Sequence, residues 1–234
     1  MAHKDSCVGM AANMSGVKKR ISAFLDKSGR VHIHESTCSS DSRMTLAEIV
    51  ETAKIKGLDG VCITDHDSMG LREQAEAYSR EIGFPIFVGV EYYSLWGDIT
   101  AFGIDTFPDT RIPAQDFIDQ VNAAGGFCVA CHPFRSNNRG LKEHLRDVHG
   151  LHGVEVLNGS TDLAANRLAL ARCRELGLAA IGASDAHWTS QVGVYATYVP
   201  GHPRTISELV QALHQGGVHP AIWENDGYRI ADTF

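Results

Sequence analysis

The sequence predicts an α/β fold, a compact TIM-like barrel, and three observations carry the prediction. Short apolar runs alternate with amphipathic stretches from about residue 30 onward, the pattern of parallel βαβ units. About seven such units fit into roughly 200 residues, which favours a closed barrel over an open doubly wound sheet. No G-x-G-x-x-G follows the first strand and no G-x-x-x-x-G-K-[ST] occurs anywhere, so neither dinucleotide nor P-loop binding is indicated.

The elements follow in order. Residues 1–29 show no clear period and are set apart as an N-terminal extension, leaving residues 30–234 as the barrel domain. Residues 30–35 form a strand. A helix over 45–56 opens on a capping box of Thr45 and Glu48 and stops at Gly57. Residues 59–64 form an apolar strand, 71–82 a helix ended by Gly83, 85–91 a third strand, and 98–104 a return beside it. The second half repeats the rhythm. It has a helix over 114–124, a Gly125-Gly126 break, a strand over 127–131 and a short helix over 141–148. A strand over 153–157, a helix over 162–176 ended by Gly177, and strands over 178–183 and 194–199 come next. Thr205 caps a last helix over 206–214. The segment after Gly201, with His219, Trp223 and Arg229, either covers the barrel or reaches the site.

Composition narrows the function classes. The chain has 234 residues, 44% hydrophobic and 21% charged, which suits one packed domain and not a disordered chain. No apolar run reaches the ~18 residues of a membrane span, and the N-terminus lacks a signal-peptide core. A soluble, cytoplasmic protein with no membrane partner is expected. The net charge of -7 argues against gripping long nucleic acid and leaves a small anionic substrate open. Six Cys are scattered with one C-x-x-C, Cys128 to Cys131, and no second pair, so neither a zinc knuckle nor disulfides are indicated. On a strand Cys131 and His132 face opposite ways, so Cys131 is expected to turn away from the barrel mouth.

Twelve His in this chain is a high count, and most stand near acidic residues at strand ends. His32 and His34 lie two apart on the first strand and share a face. His66 follows the second strand, Glu91 ends the third, His132 ends the strand after the double glycine, and Asp185 and His187 follow the strand over 178–183. Strand C-termini converge on one mouth of a barrel, where barrel enzymes place their chemistry. Each motif alone is commonplace, and their joint occurrence at successive strand ends points to metal. Imidazole and carboxylate suit zinc, manganese or iron alike. The seven groups exceed the three protein ligands of one catalytic zinc, so two or three ions are expected, with Glu91 as a natural bridge.

His32-Ile33-His34, Ser40-Asp41, Thr64-Asp65-His66-Asp67, Gly89-Val90-Glu91, Cys131-His132-Pro133 and Ala183-Ser184-Asp185-Ala186-His187 together resemble the successive motifs of the PHP family (polymerase and histidinol phosphatase). The resemblance spans about residues 30–199. It implies a distorted (βα)7 barrel, a centre of two or three divalent Mn, Fe or Zn ions, and phosphoester hydrolysis. Carried over by motif, His32, His34, Glu91 and Asp185 hold one ion, Glu91 and His132 a second, and Asp41, His66 and His187 a third. The gap from His34 to Asp41 is two residues longer than in the short form of the motif. Family members often carry a His just before a segment like Ala101-Phe102-Gly103-Ile104, where this chain has Thr100. The second ion is then left with fewer protein ligands.

The chemistry expected is attack at phosphorus by hydroxide held on the metals of His32, His34, Glu91 and Asp185. Arg135, with Arg43 as a weaker partner, is the candidate for phosphate, since a planar guanidinium matches its oxygens. Glu155 and Asn158 point to the mouth as substrate-contacting or supporting groups. Asp65 or Asp67 orients a ligand His. Trp188, Tyr92 and Tyr93 are candidates for stacking on a base or sugar. The substrate expected is a small phosphorylated metabolite or nucleotide. The alternatives are a short-oligonucleotide exonuclease, C–N bond hydrolysis by the same hydroxide, and a non-catalytic metal-stabilised module that binds a partner. The oligomeric state is left open.

Overall fold

The computed structural model describes residues 31–234; the expected extension over 1–29, and Arg30 of the first strand, lie outside them. Five helices, two 3-10 turns and eleven strands follow one another among the described residues. Strands β1 (Val31–Ile33), β2 (Val61–Ile63), β3 (Ile86–Val88) and β4 (Val90–Tyr93) form the first half with helices α1 (Leu46–Ile55) and α2 (Arg72–Ile82). Then come β5 (Asp98–Phe102), α3 (Ala114–Ala123), β6 (Phe127–Ala130), β7 (Gly153–Asn158), α4 (Leu163–Leu176) and β8 (Ala179–Ala186). The chain ends with β9 (Tyr195–Tyr198), α5 (Ile206–Gln215), β10 (His219–Glu224) and β11 (Gly227–Ile230).

Six strands pair in the order β1-β8-β7-β6-β5-β4, and β2 pairs with β3. The β2–β3 pair spans most of the remaining gap. The Thr64 amide donates to the Ile33 carbonyl at 2.9 Å on one side, and an isolated parallel bridge joins His66 to Glu91 on the other. β3 and β4 are one stave broken at Gly89, where a Cβ would stand 2.4 Å from the Ala101 carbonyl oxygen, so only glycine lets β5 approach. The ring therefore has seven staves and is nearly closed. β5 is antiparallel to both its neighbours.

The predicted helices form where local signals placed them. Thr45 and Glu48 make the capping box of α1, Asp162 caps α4, Thr205 caps α5, and Gly83 and Gly177 end α2 and α4 in the left-handed region. The expected short helix over 141–148 is a 3-10 turn, Lys142–Arg146. The segment after Gly201 covers the barrel: β10 and β11 join β9 in a separate antiparallel sheet against β8, and Gly182 packs on the Ala196 backbone. His219 pairs with Asp232 and Arg229 with Glu224, at exposed positions.

Inside the ring, side chains alternate by the period of two. The lower interior is apolar, with Phe87, Phe102, Phe127, Val129 and Ile181 packed on Leu209, Val210 and Leu213 of α5. The outward positions of the staves bury Ile33, Val61 and Ile63 under α1 and α2, and Ile99, Cys128 and Val154 under α3 and α4. Burial on this scale, at ~25 cal/mol per Å², is what holds a scaffold whose upper interior is polar.

Candidate metal centre

The upper interior of the ring collects imidazoles and carboxylates. His32, His34 and Glu91 are fully buried, and Asp185 and His132 nearly so. Backbone geometry turns several of them inward. His32, His132 and Asp185 all have positive φ (78°, 28° and 46°), as does Asp67. Non-glycine residues rarely adopt that region, and such strain gathers at functional sites. It also overturns one sequence expectation. Cys131 continues the inward set of Phe127 and Val129, and its Sγ lies 2.7 Å from the Thr100 hydroxyl. The left-handed turn at His132 breaks the alternation, so that residue faces inward too.

The nucleus of the site consists of His32 Nε2, His34 Nε2, Glu91 Oε2 and Asp185 Oδ1. The two imidazole nitrogens are 2.9 Å apart; Glu91 Oε2 is 2.9 and 3.2 Å from them, and Asp185 Oδ1 is 3.6 and 3.4 Å away. Donors ~2.1 Å from one ion at tetrahedral angles stand roughly 3.4 Å apart, so His32, His34 and Glu91 fit a small divalent cation, with Asp185 Oδ1 beside both imidazoles. Orientation supports this. His32 Nδ1 binds Glu155 Oε1 at 2.9 Å, which leaves Nε2 for an ion. His187 Nδ1 donates to the Asp185 carbonyl at 3.1 Å, leaving its Nε2 facing Asp41 Oδ2 at 3.2 Å.

A second set lies on the other side of Glu91. Glu91 Oε1 is 3.0 Å from His132 Nε2, and Asp98 Oδ2 is 3.7 Å from the same nitrogen. Asp98 completes a group with Glu91 and His132 whose donor atoms all lie within 4.8 Å of one another. A third set, nearer the surface, contains His34, His66 and His187, with Asp41 Oδ2 3.2 Å from both His66 Nε2 and His187 Nε2. The structure thus brings together all eight residues that the motifs nominated as ligands.

The charges are mutually dependent. Burial would raise the Glu91 and Asp185 carboxyls, yet His32 and the neighbouring imidazoles hold both well below the usual carboxylate range. Burial opposes the charge on His34, but hydrogen bonds to Asp185 and Glu91 push it up to about 9. Asp98 is also pushed up to about 9, by burial and by the charge on Glu91, against the pull of Arg139. A buried site that concentrates this much opposed charge is suited to exchange protons for cations.

Asp98 is the residue the sequence reading missed. The family resemblance singles out Thr100, the position where family members often carry a His. β5 runs the opposite way and presents its first residue at the mouth. Its inward residues descend from Asp98 through Thr100 to Phe102, and Thr100 is sealed beneath the site against Cys131. The period of two on a reversed strand is the signal that could have found Asp98. Arg139 was missed with it: its Nε is 2.7 Å from Asp98 Oδ2 and its guanidinium lies 4.1 Å from the Tyr93 ring centre.

The candidate substrate groups separate. Arg135 reaches the site, pairing with Asp185 and donating to Asn158 Oδ1 at 2.7 Å and Thr161 Oγ1 at 3.1 Å. Arg43 is exposed at the rim and touches the site through its backbone, donating to the His187 carbonyl. Glu155 and Asn158 do not line the mouth for substrate. Both are fully buried beneath it; Glu155 carries His32 and the His132 amide, and Asn158 carries Arg135. Asp65 accepts from the Glu35 amide with its Oδ1 3.9 Å from His34 Nδ1, behind the ligating side of that ring, and Asp67 accepts from the Tyr93 amide as a loop brace. Tyr92 faces outward into the core against Phe117, 4.2 Å between rings, which removes it as a stacking platform. Tyr93 faces the mouth between Arg111 and Arg139, and Trp188 is 54% exposed beside His187.

Comparison with known proteins agrees with this geometry. The model of the PHP domain matches residues 30–156, and a PHP-associated model matches residues 164–218. The chain belongs to the PHP domain family, and with its site it is a hydrolase. An uncharacterized protein of Methanocaldococcus jannaschii is 28% identical over 123 residues, covering 52% of this chain and 71% of that one. Among solved structures, one assigned as a metal-dependent phosphoesterase from Bifidobacterium adolescentis superposes with a TM-score of 0.57 at 20% identity, over 70% of this chain and 88% of that chain. A lesion-specific endonuclease from Pyrococcus furiosus superposes with a TM-score of 0.62 at 18% identity, over 82% of this chain and 56% of that chain. These likenesses establish the barrel. No helix among the described residues is long and apolar enough to cross a membrane.

Proposed function

We propose that the chain hydrolyses a phosphoester of a small metabolite or nucleotide with the help of two or three divalent ions, Mn, Fe or Zn. The observation that carries this reading is the four-donor nucleus of His32, His34, Glu91 and Asp185 with Arg135 at its edge. Those four residues would hold one ion, Glu91 with His132 and Asp98 a second, and Asp41, His66 and His187 a third. Ions so held supply a Lewis acid for phosphoryl oxygens and bring the pKa of water near 7.

The protein's own residues do the rest. Glu155 fixes the His32 ring so that Nε2 stays aimed at the nucleus. Asn158 and Thr161 hold the Arg135 guanidinium at the rim of that nucleus, where its planar fork meets a phosphate bidentately. Trp188, exposed beside His187, offers an apolar face to the leaving group. That feature, with the endonuclease likeness, favours a second reading in which the substrate is a short oligonucleotide whose base stacks on Trp188. The net charge of -7 weighs against extended nucleic acid.

The test is phosphate release by Mn-loaded protein from phosphomonoesters, nucleotides, cyclic phosphates and short oligonucleotides, with His32→Ala and Asp185→Ala alongside. Turnover abolished in both variants is expected. A folded, metal-loaded protein that releases no phosphate from any of them would make the barrel a binding module.

A further inference from the structure

Asp98 and Arg139 form an arrangement that the family resemblance does not supply. Asp98 is fully buried, and its Oδ1 has no hydrogen-bond partner. An unpartnered buried carboxylate oxygen costs stability unless something meets it. It stands in the group formed with Glu91 and His132. Its other oxygen is taken by Arg139 Nε at 2.7 Å.

Arg139 does more than cap Asp98. Its Nη2 lies 3.2 Å from His66 Nδ1, and that nitrogen is itself 2.9 Å from Glu91 Oε2. The guanidinium therefore pairs with Asp98 directly and reaches toward Glu91 through His66, placing one positive charge at the edge of the second set. Guanidinium has only donors and a positive charge, so it competes with an ion for the Asp98 carboxylate. The loop backbone is fixed independently of the side chain: the Asp98 amide donates to the Arg139 carbonyl at 2.6 Å, and the Arg139 amide to Asn137 Oδ1 at 3.0 Å. The side chain also has a second perch, the face of Tyr93 at 4.1 Å, whose opposite face is held by Arg111 at 3.8 Å.

Resting on the metal-centre reading above, we propose that Asp98 is the third protein ligand of the ion shared by Glu91 and His132, and that Arg139 is its built-in counter-ion. Arg139 neutralises Asp98 while the ion is away and yields it when a divalent cation binds, remaining on the Tyr93 ring at the mouth. Thr100, where relatives carry a His, is then no defect. The ligand is supplied two residues earlier on the same inward face of β5, as a harder oxygen donor, which suits Mn more than a His would. The exchange makes the second ion compete with an internal cation, so this ion binds last and most weakly.

The experiment is equilibrium dialysis of the full chain against Mn2+ followed by metal analysis, with circular dichroism as the fold control. Wild type holding no Mn2+ would defeat the metal-centre reading itself and the inference with it. With Mn2+ bound to wild type, Asp98→Asn is expected to lose one equivalent and Asp98→His to keep it. Arg139→Gln is expected to bind the weakest equivalent on the order of tenfold tighter, the scale of one charge-assisted hydrogen bond removed from competition. Arg111→Gln removes the same charge from the far side of Tyr93 and is expected to leave that affinity unchanged. Asp98→Asn retaining every equivalent at wild-type affinity, or Arg139→Gln binding no tighter than Arg111→Gln, overturns the proposal. The Asp98 pair tests it independently if Arg139→Gln does not fold.

Discussion

Glu91 has two sides, and the protein builds them differently. Toward β1 and β8 it meets His32 and His34, which in turn face Asp185, with imidazole–carboxylate and imidazole–imidazole distances of 2.9 to 3.6 Å. Toward β5 and β6 it meets one imidazole, His132, and one carboxylate, Asp98, which starts an antiparallel strand and is already paired with Arg139. The first side is preassembled for a cation; the second must exchange one cation for another. A single bridging carboxylate thus ties a strong site to a weak one, and the strong one is the side that barrel geometry provides by default.

The largest effect follows from the bridge. Glu91→Gln keeps the shape and removes the charge common to both sides. Activity is expected to fall on the order of 10³-fold or more, equivalent to about 4 kcal/mol of lost charge stabilisation. Metal analysis should show both sides depleted. Retention of a full complement of Mn2+ would show that the two sides do not share Glu91. Arg135→Gln is expected to act on substrate and not on metal, raising KM roughly tenfold or more with metal content unchanged. Loss of metal in that variant would place Arg135 with Arg139, as a structural counter-charge to Asp185.

The same contrast explains what could be read from the sequence. Helices were legible because their ends carry local chemistry: Thr45 with Glu48, Asp162, Thr205, Gly83 and Gly177. The His32–His34–Glu91–Asp185 side was legible because strand ends and a period of two put those residues on one mouth. Asp98 was not: the return of 98–104 was expected, but that a reversed strand presents its first residue at the mouth depends on how the stave is placed in the ring. Cys131 was misjudged for a similar reason: a positive φ at His132 cancels the alternation, so Cys131 and His132 both face inward. Glu155 and Asn158 were placed at the right height, but whether they meet substrate or support His32 and Arg135 depends on loops that pack over them.

A smaller effect concerns pH. In the metal-free protein His34 is pushed up to about 9 from 6.5, so its favourable charge is fully present below 6.5 and is lost as pH rises toward 9. Asp98 is pushed up to about 9 from 3.8 by burial and the Glu91 charge, against the pull of Arg139, so keeping its buried charge costs more stability as pH rises from 3.8 through 9. Both have the same sign, so the melting temperature of metal-free protein should fall between pH 6.5 and 9, by roughly 5 °C or more. With Mn2+ in excess the slope should reverse, because ions displace protons from the same groups. Parallel slopes with and without Mn2+ would mean that the buried cluster does not exchange protons for metal.

The smallest effect is expected at Thr100, and it separates the two accounts of the weaker side. If the residue two places after Asp98 were a ligand, its removal would cost metal. The structure seals it under the site, with its hydroxyl 2.7 Å from Cys131 Sγ and no exposure. Thr100→Val removes that hydroxyl contact while keeping the branched shape, so a stability loss of about 1 kcal/mol is expected. Manganese content and activity should stay within about twofold of wild type, because a buried thiol contact carries no charge to the ions. A lost equivalent of metal in Thr100→Val would move the weaker site down the strand and leave Asp98 as a partner of Arg139 alone.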